Sequence, residues 1–130
     1  MSAATECVRT FLSLMERREL EAARALLSPD FEMTFPGAAR FTTLEELVAW
    51  GAGRYTSVGK HYERFDEAPD ATVPGQDIVY CFGTLHGTWL DGRPFDGIRF
   101  IDRFVVANGL LVDQRVWNDL AETQQTGASN

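Results

Sequence analysis

The chain has 130 residues, 45% of them hydrophobic, with 12 lysines and arginines against 19 aspartates and glutamates, a formal net charge of -7. This length suits one compact domain that buries its own core and leaves no room for a second. An acidic surface without a basic run repels phosphate backbones and anionic lipid, so neither nucleic acid nor a membrane is expected as a partner.

Met1 to Glu6 carries no basic stretch, and no apolar run approaches the ~20 residues that span a bilayer. A cytoplasmic location is the expectation. Cys7 falls in a helical pattern and Cys81 in a strand pattern, which reads as two buried, reduced thiols rather than a disulfide framework. With only His61 and His86 besides, a metal site is not expected, and the Gly-x-x-x-x-Gly-Lys, His-Glu-x-x-His and Gly-x-Ser-x-Gly patterns are absent. No cofactor is implied.

From Ala3 to about Arg18, Val8, Phe11, Leu12 and Met15 keep the spacing of one helical face. Leu20, Ala23, Leu26 and Leu27 continue as a second helix, which Ser28-Pro29-Asp30 stops. Phe31, Met33 and Phe35 alternate with Glu32 and Thr34, the period of a strand, ended by Pro36-Gly37. Thr43 with Glu46 three residues on forms a capping box that opens a third helix carrying Leu47, Val48, Trp50 and Tyr55, weakened by Gly51 and Gly53.

The rest reads as strands: Tyr62 to Phe65, Ile78 to Trp89, Ile98 to Val106 and Leu110 to Trp117. Asp91-Gly92 and Asn108-Gly109 supply the tight turns between the last three. The polar tail, residues 123–130, is expected to be disordered beyond a domain at 1–122. Helices followed by a meander predict an α+β fold: a curved antiparallel sheet wrapped around three helices, with an internal apolar pocket. In the long strands both alternate faces are apolar, so the outer face of the sheet is expected to meet a second copy in a homodimer.

A two-residue turn at Asp91-Gly92 sets Cys81 opposite Asp102 and Gly83 opposite Phe100. Asp102 then shares a face with Ile98, Phe100 and Phe104, a lone carboxyl in an apolar hollow, where desolvation raises a pKa. Such a group donates to an oxyanion or carries a proton; the alternative is a buried aspartate held by an arginine, tyrosine or backbone amide for structure alone. Arg99 and Arg103 point to the other face by parity. The last strand has two registers. A two-residue Asn108-Gly109 turn puts Arg115 opposite Asp102, and a three-residue turn with a bulge puts Gln114 there, with Val116 and Asn118 on the same face. His86 falls opposite Gly97 on the convex face, and Trp50, Tyr55 and Tyr62 suit either a pocket mouth or the core.

The helix pair, the strand ending in Phe35-Pro36-Gly37, the capped helix and the meander closing with Val116-Trp117-Asn118-Asp119-Leu120-Ala121-Glu122 resemble the nuclear transport factor 2-like superfamily, in its SnoaL-like branch. The resemblance covers roughly Ala3 to Glu122. It implies a cone-shaped α+β barrel with an internal pocket that dimerises through its outer sheet face, and it favours the register with Gln114, Val116 and Asn118 inward. Ile101-Asp102-Arg103-Phe104 is similar to the ketosteroid isomerase segment whose aspartic acid helps form an oxyanion hole, a role this implies for Asp102. The isomerases' general-base and tyrosine positions hold Phe35 and Phe11, and Phe100 stands where epoxide hydrolases of this fold need an arginine.

Two functions follow as expectations. One is a cofactor-free isomerase, cyclase or lyase doing acid-base chemistry on a hydrophobic carbonyl compound. Asp102 would be its catalytic residue, and Asn118, Gln114, Phe35, Trp50, Tyr55, Phe100, Phe104 and Val116 would contact the ligand. The other is a non-catalytic ligand-binding or dimeric interaction module of the same fold, whose cavity Phe11, Phe35 and Trp50 could fill.

Overall fold

A computed structural model describes residues 2–123, so the tail expected over 123–130 lies, beyond Thr123, outside the described residues. The elements are α1 (Ala3–Glu16), α2 (Leu20–Arg24), β1 (Leu27–Phe35), a 3-10 turn (Pro36–Ala38), β2 (Ala39–Phe41), α3 (Leu44–Ala52), β3 (Tyr55–Pro69), β4 (Gln76–Trp89), β5 (Pro94–Ala107) and β6 (Leu110–Asn118). Six strands form one curved, open sheet in the order β2-β1-β6-β5-β4-β3, with the helices on its concave side. The architecture is α+β, as expected.

The helix starts follow from local chemistry. Ser2 caps α1 by accepting from the Thr5 amide at 3.3 Å, and Glu67 on β3 accepts from the same amide at 3.1 Å and from the Thr5 hydroxyl at 2.7 Å. That carboxylate ties the start of α1 to the sheet. In α3 the capping box is closed from both sides, Glu46 N to Thr43 Oγ1 at 3.2 Å and Thr43 N to Glu46 Oε1 at 3.1 Å.

Val8, Phe11, Leu12 and Met15 face inward from α1 as their spacing predicts. The Phe11 ring meets Phe31 and Phe104 edge-on, each with centroids 6.1 Å apart. Each such buried apolar side chain contributes about 1.5–3 kcal/mol.

Several elements depart from the sequence expectation. The second helix ends at Arg24, and the strand already begins at Leu27; Pro29, which has no N–H to give to a ladder, falls in the irregularity that interrupts the pairing with β6 between Leu27 and Glu32. That β1–β6 pairing is parallel, the one exception to an antiparallel sheet. The three-residue β2 carries too short a pattern to be read.

Tyr55 does not extend α3. It opens β3, which runs to Pro69 rather than from Tyr62 to Phe65. Gly51 permits this reversal: a Cβ there would lie 2.9 Å from the Tyr55 hydroxyl. Gly83 serves a closer approach, since a Cβ on it would lie 1.9 Å from the His61 carbonyl oxygen, beside the bulge between Tyr62 and Arg64.

The two hairpins reach their registers differently from expectation. Trp89 N donates to Arg93 O at 2.8 Å across a three-residue turn, and an irregularity between Leu85 and Gly87 then restores the pairing of Cys81 with Asp102 and Gly83 with Phe100. Asn108-Gly109 is a two-residue turn, with φ of 54° and 76°. A bulge opposite Val105 and Val106 follows it, setting Val116, not Gln114 or Arg115, opposite Asp102. Gln114 instead faces Phe104. The face assignment favoured from sequence survives, because the two registers differ by two residues and two residues is one full pleat.

Candidate functional site

Asp102 is wholly buried on the concave face of β5, among Cys81, Phe100 and Val116. It is not a lone carboxyl. Lys60 Nζ donates to its Oδ2 at 2.6 Å and lies 4.9 Å from the Phe100 ring centroid. Lys60 sits on β3 opposite Leu85, and Gly83, with no side chain of its own, separates the Leu85 and Cys81 rows that the lysine stem spans. Asp102 Oδ1, buried as well, has no hydrogen-bond partner.

Burial works against a charged ammonium at Lys60, but the Asp102 carboxylate, with Tyr62 and Cys81 adding to it, outweighs that and raises the lysine above its ordinary range. Lys60 therefore holds its proton and can offer it to an oxygen, but is not a free amine for attack on a carbonyl carbon. Tyr62 is pushed up to about 12 by burial, with Lys60 partly opposing it. Burial first, then the Asp102 charge, pushes the Cys81 thiol up to about 12, so it stays a thiol. Cys7 is only half-buried, unlike the buried thiol expected, and is raised by burial; Cys81 is buried, and both cysteines are free.

Two adjoining cavities open beside the pair, sharing Phe35, Tyr55, Val58 and Lys60 in their walls. The inner one holds about 470 Å3 of empty space, its solvent-open part included, and is lined by Asp102, Phe100, Val116, Asn118, Trp50 and Arg54 among others. The outer one holds about 710 Å3 on the same measure and is lined by Phe11, Met15, Leu47, Tyr62 and Gln114 among others. Phe35 borders both spaces, Phe11 the outer one and Trp50 the inner one. Asn118 Oδ1 accepts from Leu120 N at 3.2 Å, which orients the amide and leaves its NH2 as a donor.

Of the side chains expected from sequence, Asp102, Phe35, Trp50, Tyr55, Phe100, Val116 and Asn118 meet around the inner cavity and Gln114 faces the outer one. Phe104 is fully buried against Phe11 and lines neither. Lys60 is absent from the sequence expectation, which begins this strand at Tyr62. Starting it at Tyr55 places Val58, Lys60 and Tyr62 on one face by alternation, which was the available signal. His86 pairs with Gly59, and its ring lies 4.4 Å from that of His61 on the other face of β3 and β4, away from Asp102. Arg99 is likewise outside, bound to Asp119 at 2.6 Å. Among the described residues no three His, Cys, Asp or Glu side chains gather as metal ligands, and no helix is long and apolar enough to cross a membrane.

A curved, open sheet wrapped over helices, with polar groups beside an apolar hollow, defines the class as a cone-shaped α+β fold. Residues 8–114 match the SnoaL-like domain, and the chain belongs to that family. No curated protein matches it in sequence. Among solved structures, it is similar to an NTF2-like protein of unknown function from Burkholderia pseudomallei, at 21% identity and a TM-score of 0.75 over 96% of this chain and 97% of that one. TerC, co-crystallised with polyporic acid, superposes with a TM-score of 0.74 at 15% identity, over 95% and 97% of the two chains. A Jannaschia protein assigned as a SnoaL-like polyketide cyclase gives 0.66 at 16% identity, over 94% and 89%. At these identities the likeness establishes the NTF2-like fold.

Proposed function

We propose that this protein binds a hydrophobic carbonyl compound in the cytoplasm and catalyses a cofactor-free proton transfer on it, as an isomerase, cyclase or lyase does. The observation that carries the reading is the Lys60–Asp102 ion pair with an unpartnered Oδ1 at the base of an apolar cavity. Asp102 Oδ1 takes a proton from the carbon beside the carbonyl. The C–H electron pair moves into the carbonyl, whose oxygen becomes an enolate held by the Lys60 ammonium and the Asn118 NH2. Protonated Asp102 trades its proton with water entering the cavity and then protonates the carbon, so solvent deuterium can enter, nothing is oxidised and no co-reactant is consumed.

The test is hydrogen–deuterium exchange at the α-carbon of a tetralone in D2O, followed by NMR. Wild-type protein is expected to exceed buffer, and Asp102→Asn to lower the protein-dependent rate by about a hundredfold. Equal rates for the two proteins would remove the catalytic role. Tetralone binding without exchange would favour a non-catalytic carrier.

We further propose a homodimer through the outer sheet face, where Trp117 is 51% exposed and its cross-strand neighbour Ile101 and nearby Tyr80 are exposed as well. Light scattering is expected to give twice the chain mass for wild type and the single mass for Trp117→Glu. A monomeric wild type ends this proposal.

A further inference from the structure

Gln114 is the second polar side chain whose burial the fold itself does not explain. It is 3% exposed, and its Oε1 is buried with no hydrogen-bond partner. Its cross-strand neighbours are Met33 on β1 and Phe104 on β5, neither of which has a side-chain proton to give. The outer cavity beside it is walled by Phe11, Leu12, Met15 and Leu47 and also by Arg18, Tyr55, Lys60 and Tyr62, none of which donates to Oε1. A methionine or leucine would fill this position without stranding an acceptor, so the amide is costly unless something outside the chain donates to it.

We infer that Gln114 selects ligands bearing a hydroxyl: its Oε1 accepts a hydrogen bond from a donor placed about one ring's width from the carbonyl that Lys60 receives. The spacing follows from the ladder. Asp102 faces Val116 and Phe104 faces Gln114, so Asp102 and Gln114 are diagonal neighbours, about 7 Å apart on a sheet. The two cavities meet at Lys60, Tyr55, Val58 and Phe35, which lets one ligand reach both groups. The feature that Gln114 distinguishes is therefore a ligand hydroxyl set apart from the carbonyl, which a plain ketone lacks. This inference rests on the ligand-pocket reading above and is independent of the proton-transfer step.

Three probes separate these ideas in equilibrium binding by calorimetry: a tetralone, the same tetralone hydroxylated on its aromatic ring, and the methyl ether of that phenol. Wild type is expected to bind the phenol about tenfold more tightly than either of the others. Gln114→Met, close in volume and apolar like its surroundings, is expected to erase that preference, so that it binds the phenol no more tightly than the ether or the unsubstituted tetralone. Its midpoint of urea unfolding should be no lower than that of wild type.

Equal binding of phenol and ether by wild type would mean that water serves the amide, and tighter binding of the ether would mean that its NH2 faces the ligand; either overturns the inference while leaving the pocket. A preference that persists in Gln114→Met, with a lowered unfolding midpoint, would make the glutamine structural and also overturn it. No binding of any tetralone would take down the pocket reading itself.

Discussion

Lys60→Met is expected to lower stability by about 3–5 kcal/mol in urea unfolding at neutral pH, among the largest effects of any single substitution in this chain. The lysine is the one ion-pair partner of a carboxylate that has no exposed surface, and its side chain is itself only 23% exposed. Removing it leaves a wholly buried carboxylate without the counter-ion it has among the described residues. Asp102→Leu should cost less, because the Lys60 stem can carry its ammonium toward solvent through the exposed part of its surface. The double variant Lys60→Met/Asp102→Leu should recover most of the loss, since replacing both members of a buried pair by apolar groups removes the desolvation penalty together with the attraction. A strictly additive cycle, or a loss below about 1 kcal/mol for Lys60→Met, would show that the pair is not coupled as its 2.6 Å separation implies.

Stability is also expected to fall steeply in alkali. Cys81 has an ordinary value of 9.0 and is pushed up to about 12, foremost by burial and then by the Asp102 charge. Tyr62 rises from 10.0 to about 12, again foremost by burial. Lys60, ordinarily at 10.5, is raised because its partner carboxylate outweighs the burial that opposes it. All three groups hold their protons more tightly folded than unfolded. Their contributions are therefore complete below pH 9.0 and fall as the pH rises, those of Cys81 and Tyr62 being lost as it climbs toward 12 and that of Lys60 persisting further into alkali.

Cys81 alone accounts for about 4 kcal/mol at most over that window. Urea titrations at a series of pH values should show a plateau below about pH 9 and a decline above it, and Cys81→Ala should flatten the first part of the decline. An unchanged slope in that variant would mean that the thiol meets the same environment in both states.

Much of the fold is legible in residue order because it is written in short-range chemistry. The α1 face of Val8, Phe11, Leu12 and Met15, the Thr43–Glu46 cap and the Asn108-Gly109 turn each depend on residues a few positions apart. The face of Asp102 was readable too, since one turn and a period of two carry it across a hairpin. Tyr55 was misplaced because a single aromatic after Gly51-Ala52-Gly53 suits a helix end and a strand start equally.

By itself, then, the amino-acid order determined most element types and the inward face of Asp102 with Arg99 outward, but it left the last strand in two registers, between which only the family resemblance favoured the one with Gln114, Val116 and Asn118 inward. Only the tertiary structure decided what Asp102 touches. Lys60 lies 42 residues before it and two strands away, and reaches it only because the sheet curves and Gly83 puts no side chain between them. The bulge after Asn108-Gly109, which gives Asp102 a valine for its neighbour and Gln114 a phenylalanine, is likewise a property of the closed ladder. Bulges and ion pairs between distant strands are settled by which packing buries the most apolar surface with the fewest stranded polar atoms, and that sum runs over the whole molecule.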